Sequence, residues 1–314
     1  APTRPPSAPA ARGGGLTPAL TREVGGWFGL DAIFATHQRI AMGDPTVRRD
    51  GDRWWWATRT PAGPATAVAI PGPDRVTVHL WGPGAGEVAV EALLGADDDP
   101  SGFVAHDPVV ADAVRRFPEL RFGRTGTIVD RLIAGVLGQR VTGKAAAEAW
   151  RGLVFRFGGA APGPHPSLRL PPDPAALANE PYYTLHRFGV ERNRAQTLIE
   201  ACKRRNRLEA LAREPVAVAH ERLTGLRGIG PWTAAHVLGS SHGGADVVQT
   251  GDLHLPNGVA WALAGEARAD DDRMLALLAP YAGHRGRVLR LLAQRGIGAP
   301  KFGPRADATD IRGM

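Results

Sequence analysis

From Leu223 to Ala235 the chain reads Leu-Thr-Gly-Leu-Arg-Gly-Ile-Gly-Pro-Trp-Thr-Ala-Ala. Apolar residues have helical spacing on both sides of it, so Gly228, Ile229 and Gly230 form the tight turn between two helices. The glycines supply unusual backbone angles and let another chain approach closely, and Pro231 suits the first turn of the second helix. Free amides at a helix N-terminus preceded by glycines make a site for phosphate, because donors and dipole point the same way. An ordinary helix–helix turn accounts for Gly-x-Gly alone. The full string Leu-x-x-Leu-x-Gly-Ile-Gly-x-Trp-Thr-Ala is far more specific.

Outward from this hairpin, helical spacing runs through 108–116, 128–141, 142–157, 173–178, 182–188, 192–206, 208–213, 215–223, 232–239, 253–264, 271–278 and 285–295. The Pro-rich segment 158–174 reads as a loop over the surface. Before residue 100 the pattern is different. Short β-rich runs at 31–40, 53–59, 66–70 and 76–80 are separated by Gly and Pro turns, and a short apolar face at 85–94 predicts one helix. The acidic run Asp97 to Asp99 with Pro100 is a connector. The expected organisation is a leader without fixed structure (1–22), a β-rich domain (23–100), a helical domain (101–302) and a C-terminal tail (303–314). The fold class is α+β, with a small antiparallel sheet packed on helices.

Composition narrows the function. At about 150 residues per domain, 314 residues suggest two domains, and 43% hydrophobic content can build sizeable cores. The net charge of +7 favours polyanionic partners such as nucleic acid. A single cysteine, Cys202, excludes an internal disulfide, a Cys-rich zinc site and an iron–sulfur cluster held by several thiolates. The absence of an 18-residue apolar stretch, and of an apolar signal segment in residues 1–15, predicts a soluble, cytoplasmic protein.

The hairpin string resembles that of the helix-hairpin-helix superfamily of DNA glycosylases, which carries a Gly/Pro-rich loop and an essential aspartate. Two further segments match in order. Asp246-Val-Val-Gln-Thr-Gly-Asp-Leu-His-Leu places Asp252, 22 residues beyond Gly230, where the family keeps its catalytic aspartate. Leu137-Gly138-Gln139-Arg140-Val141-Thr142 is similar to the segment that enters the minor groove beside the flipped nucleotide. Over most of the chain, the sequence resembles the bacterial inducible 3-methyladenine glycosylases (type II). That resemblance implies a TBP-like β-rich first domain and a base pocket between helical subdomains.

Each implied residue also has a plainer reading. An Asp directly before an apolar helix is a common N-cap. As the catalytic group, Asp252 stabilises the positive charge that develops on the sugar when an N-glycosidic bond breaks, and orients or deprotonates water. Arg140 sits where the resembled enzymes insert an apolar wedge; it either fills the hole left by the flipped base or is a solvated helix residue. Gln139 is either a minor-groove contact or a side-chain-to-backbone strut. Gly228, Ile229, Gly230 and Thr233 are the phosphate-binding candidates. The carbonyls of Leu226 and Ile229 are implied ligands of a monovalent cation, Na+ or K+; no other cofactor is expected.

The base pocket is where the sequence departs from the family. Stacking positions appear as His236, Leu253 and Ala293, with Trp27, Phe28, Trp54 to Trp56, Trp232 and Trp261 as substitutes or as core. His254 is a further base contact or a structural residue. Arginines 187, 192, 194, 204, 205, 207, 285, 287 and 290 form two clusters, about a third of them assigned to phosphate. Bifunctional members attack C1′ with a lysine two residues past the last hairpin glycine, and Trp232 stands there. The lysines are Lys144, Lys203 and Lys301.

The expected function is therefore a monomeric, monofunctional glycosylase that flips a damaged base from duplex DNA and leaves an abasic site. Alkylated purines are the preferred substrates. The alternatives are a glycosylase for a deaminated, oxidised or bulky lesion, or a non-catalytic DNA-binding module.

Overall fold

The computed structural model describes residues 17–26, 28–41 and 43–300. Five strands form one antiparallel sheet: β1 (Leu20–Gly25), β2 (Val47–Asp50), β3 (Arg53–Thr60), β4 (Gly63–Pro71) and β5 (Arg75–Trp81), in the order β1-β5-β4-β3-β2. Hairpin turns join β2 to β5 in succession, whereas β1 returns to the far edge and pairs with β5, Leu20 opposite Leu80. The expected leader thus gives up its last residues to the sheet: alternation in Leu20–Gly25 puts Val24 into the core beside Val76. Residues 1–16 and 301–314 lie outside the described residues.

The run expected as a strand at 31–40 is instead helix α1 (Leu30–His37). Leu30, Ile33, Phe34 and His37 are buried, at i, i+3, i+4 and i+7, which is the helical period. The β-branched and aromatic content of the run concealed that spacing. Helix α1 packs on one face of the sheet, where Phe34 stacks on Trp54 at 5.5 Å and Asp31 accepts the Trp54 indole N–H at 2.8 Å. The helix expected at 85–94 is broken into a 3-10 turn, Ala85–Glu87, and the short α2 (Val90–Leu93).

The helical remainder comprises α3 (Pro108–Arg116), α4 (Val129–Leu137), α5 (Gly143–Phe157), α6 (Pro174–Ala178), α7 (Arg192–Lys203), α8 (Arg205–Glu209), α9 (Val216–Thr224), α10 (Pro231–Ser241), α11 (Leu255–Ala264), α12 (Asp271–Leu278) and α13 (Arg285–Gln294). A 3-10 segment, Tyr182–Phe188, precedes α7. These helices bury two separate cores. One, around Leu132, Trp150, Leu198 and Leu238, draws on α4 to α10. The other joins Val110 and Phe122, from just after the connector, to Met274, Tyr281 and Leu291, near the C-terminal end.

The segment expected as a surface loop at 158–174 is a strap. Its Leu168 and Leu170 pack with Trp55 and Trp81 on the face of the sheet opposite α1. Arg59 on β3 donates to the strap carbonyls of Gly158 (2.6 Å) and Pro171 (3.0 Å). On the other side, buried Arg39 pairs with Asp130 of α4, and Trp150 of α5 donates to Asp44 at 2.9 Å. Sheet and helices are therefore joined by a hydrogen-bonded seam rather than by the connector alone.

Candidate functional site

The hairpin takes the expected form. Leu226 accepts the Ile229 N–H at 3.0 Å to close the turn, and Pro231 opens α10. Gly228 has φ +86°, and a Cβ there would fall 2.3 Å from Thr197 Oγ1 of α7, so both its conformation and its neighbour require glycine. Ile229 is buried beneath the turn, anchoring it to the larger helical core.

The segment after α4 lies against this hairpin. Gln139 spends both amide protons on it, donating to the Gly228 carbonyl and to Thr233 Oγ1, each at 2.9 Å. The strut reading of Gln139 is thus realised in the structure, and its carbonyl oxygen is the remaining polar atom. Helix α4 ends at Leu137, four residues short of expectation, with Gly138 as its C-cap. Arg140 is exposed at φ +54°, the one non-glycine residue with positive φ among those described, and makes no hydrogen bond or ion pair there. Non-glycine residues in this region are strained and cluster at functional sites.

Asp252 precedes α11 and is half-buried. Its Oδ1 accepts the backbone N–H groups of His254 (2.7 Å) and Leu255 (2.8 Å), which is the capping role. Its Oδ2 accepts the Trp232 indole N–H at 3.0 Å. Trp232 stacks on His236 one turn further along α10, centroids 5.6 Å apart and planes 15° from parallel. Burial, and then the charge of Arg131, pushes His236 down to about 4, so the ring is neutral at physiological pH. Close packing of α4 on α10 makes room for this arrangement: Cβ atoms at Gly135 and Gly138 would stand 3.1 Å from Thr233 and 3.3 Å from Trp232. Trp232 and His236 lie on α10, whose Ala234, Val237 and Leu238 belong to the core of α4 to α10, while Leu255 after Asp252 packs with the C-terminal core. The carboxylate therefore sits at the seam between the two helical units, directly beyond the hairpin.

Solved structures with a similar fold are DNA glycosylases. The 3-methyladenine DNA glycosylase from Archaeoglobus fulgidus superposes with a TM-score of 0.68 at 19% identity, over 88% of this chain and 98% of that one. The chain has the fold of a helix-hairpin-helix DNA glycosylase. MBOgg1 in complex with a low-affinity DNA ligand gives a TM-score of 0.70 at 16% identity, over 88% of this chain and 96% of that one. The Clostridium acetobutylicum 8-oxoguanine glycosylase/lyase, bound to duplex DNA with cytosine opposite 8-oxoguanine, gives 0.67 at 13% identity, over 86% and 93%. No family model and no curated protein sequence matches the chain.

Within this glycosylase fold, the other expected site residues divide. Leu253 is 80% exposed beside Asp252, an unusual position for a large apolar side chain. His254 is exposed at the start of α11, and Ala293 is exposed near the end of α13. Phe28 packs on the core of the sheet domain. Trp54 and Trp56 are buried under one face of the sheet and Trp55 under the other, so all three serve as core. Trp261 is partly exposed on α11, and Trp27 lies outside the described residues.

The C-terminal arginine cluster is structural. Arg285 binds Asp246 (2.9 Å), buried Arg287 binds Asp98 (2.6 Å), and half-buried Arg290 lies over Phe122 at 5.0 Å. Arg194 is likewise buried and donates to the Leu137 carbonyl at 3.0 Å, holding the start of α7 against the end of α4. Arg192, Arg204 and Arg207 stay exposed, as does Arg227 in the hairpin itself, which the sequence reading passed over although it lies inside the motif. The glycines at 135 and 138 were missed as well; their signal is a pair of small residues three apart on an otherwise bulky helix.

Proposed function

We propose that the protein is a monofunctional DNA glycosylase of base excision repair. It binds duplex DNA as a monomer, flips a damaged base into the seam between its helical units, and hydrolyses the N-glycosidic bond through Asp252. The observation that carries this reading is the Asp252 carboxylate held at the seam beside the phosphate-binding hairpin, with Trp232 as its immediate neighbour. The carboxylate opposes the charge growing on C1′ as the base departs, and water completes the substitution to leave an abasic site. A cationic alkylated purine leaves without a dedicated general acid, which suits a site with one carboxylate; neutral His236 does not repel it. Trp232 where an amine would be needed supports hydrolysis over Schiff-base chemistry.

Backbone amides of Gly230 and α10 are the proposed phosphate ligands, and Arg140 the proposed occupant of the vacated stack. The hairpin carbonyls suit a monovalent cation: that of Ile229 accepts no hydrogen bond among the described residues, and that of Leu226 accepts one and keeps a second lone pair. Such an ion would bridge hairpin and phosphate. A cytoplasmic, nucleoid-associated location follows from a DNA substrate.

A second reading, the same hydrolysis on another lesion, draws support from His236, whose neutral ring can both donate to and accept from a base edge. One experiment separates these readings. Duplexes carrying 3-methyladenine, 7-methylguanine, hypoxanthine or 8-oxoguanine are incubated with the protein and with Asp252→Asn, and half of each sample is treated with alkali. Alkali-dependent scission of the alkylpurine duplexes, absent in Asp252→Asn, is the expected result. Scission of only the other lesions moves the reading to them. Scission without alkali overturns the hydrolytic reading, and tight binding without any scission leaves a DNA-binding module.

A further inference from the structure

The hydrogen bond between Trp232 and Asp252 does something that a helix cap does not need. At the start of α11 the capping contacts are made by Oδ1 alone, which accepts the N–H groups of His254 and Leu255 at 2.7 and 2.8 Å. A carboxylate held by one oxygen alone still turns about its Cβ–Cγ bond, because that terminal torsion has broad wells. The indole N–H, at 3.0 Å from Oδ2, is a second anchor from a different helix and fixes the plane of the group. Indole nitrogen is a donor only, so this anchor has one polarity and cannot compete for a proton. The indole has its own neighbours. His236 stacks against it, and Gly138 at the end of α4 gives the ring edge room, since a Cβ there would stand 3.3 Å from it.

We infer that Trp232 is a positioning residue: its indole N–H, on a ring stacked against His236, sets the orientation of the Asp252 carboxylate and leaves one lone pair of Oδ2 for the reacting centre. This inference rests on the glycosylase reading above and deepens it. The orientation of Asp252 is thereby coupled to the packing of α4 on α10. The same α4 end carries the Gln139–Arg140 segment, so the group that acts on the sugar and the group proposed to enter the duplex share one support.

The test separates the donor from the ring. Trp232→Phe removes the N–H and part of the surface, whereas Trp232→3-benzothienylalanine replaces only the N–H by sulfur and keeps shape and stacking. Single-turnover excision is measured on a lesion duplex that the native protein cleaves, with duplex affinity and thermal midpoint in parallel. The expected result is a rate at least about tenfold lower in both variants, with affinity unchanged within about threefold and the benzothienyl protein melting as the native one does. Restoring an N–H donor, by 5-fluorotryptophan at the same position, restores the rate. A benzothienyl protein as fast as the native one overturns the inference, as does a loss confined to Trp232→Phe, which would make the ring and not the donor responsible.

Failure of the glycosylase reading looks different. The native protein then excises no base at all, and the positioning role falls with it. The hydrogen bond is also read without any reaction: the Trp232 indole proton resonance should exchange slowly and move in Asp252→Ala. A resonance unmoved by that substitution overturns the contact itself.

Discussion

Arg140 combines left-handed backbone, an exposed side chain and no partner among the described residues. The left-handed region disfavours any residue with a Cβ by about 1–2 kcal/mol, of which glycine's extra unfolded-state freedom returns part. Arg140→Gly is therefore expected to leave stability unchanged or raise it by up to about 1 kcal/mol, measured by denaturant unfolding. Its affinity for lesion duplex should fall at the same time. A variant that is both less stable and equally tight for DNA would make Arg140 an ordinary surface residue. Asp252 shows how far single residues were legible. Its two readings from sequence, cap and reactive carboxylate, competed there for one side chain; in the structure each oxygen has its own partners. What no spacing could reveal was the donor on Oδ2, because Trp232 is 20 residues away and meets Asp252 only through the packing of two helices.

Among elements, the hairpin and the segment after α4 behave as one unit because Gln139 bridges them with two hydrogen bonds. Each such bond contributes about 1 kcal/mol, less where water competes. Gln139→Ala should destabilise the fold by about 1–2 kcal/mol or less, yet weaken duplex binding more than that loss explains, since Arg140 and the phosphate amides then move independently. Hydrogen exchange at Gly228 to Thr233 would accelerate if the bridge matters; protection equal to the native level would refute it. Elements were legible where a hydrophobic period was long and uninterrupted, as in α5 and α7. They were misread where composition and period disagreed. Leu30–His37 is rich in strand-forming residues but repeats every three to four positions, and the repeat prevailed because only one helical face meets the sheet. The strand Leu20–Gly25 was hidden for another reason: its partner, β5, is remote in sequence, and pairing supplies what its own polar residues do not.

For the whole molecule, buried titratable groups give stability an unusual pH dependence. Burial, reinforced by Arg131, pushes His37 down to about 3, and His236 falls to about 4. Between pH 6.5 and 4.5 the unfolded chain takes up a proton on each of these histidines that the folded chain refuses, so acidification destabilises. The slope reaches about 1.4 kcal/mol per pH unit for each histidine. Glu209 acts in the opposite sense. Burial and the nearby Asp130 push it up to about 7, against the N–H groups of Ile128 and Val129 that it accepts, so the folded chain is the one that gains a proton as pH falls toward 4.5. One histidine's slope is thus offset. Glu209→Gln should lower stability at neutral pH by removing an acceptor, and should also steepen the loss between pH 6.5 and 4.5 by about 1.4 kcal/mol per pH unit. Chemical unfolding at a series of pH values reads both. A slope unchanged by the substitution would contradict the offset.

The strap over the sheet has a mechanical consequence. Residues 158–172 leave the helical half, cross the far side of the β-domain and return, so the sheet is gripped from both faces like a blade in a clamp. Under the glycosylase function proposed above, a sheet fixed in this way leaves the duplex to take up the distortion, and the energy of that distortion becomes a toll on every undamaged site visited, lowest where a lesion has already softened the stack.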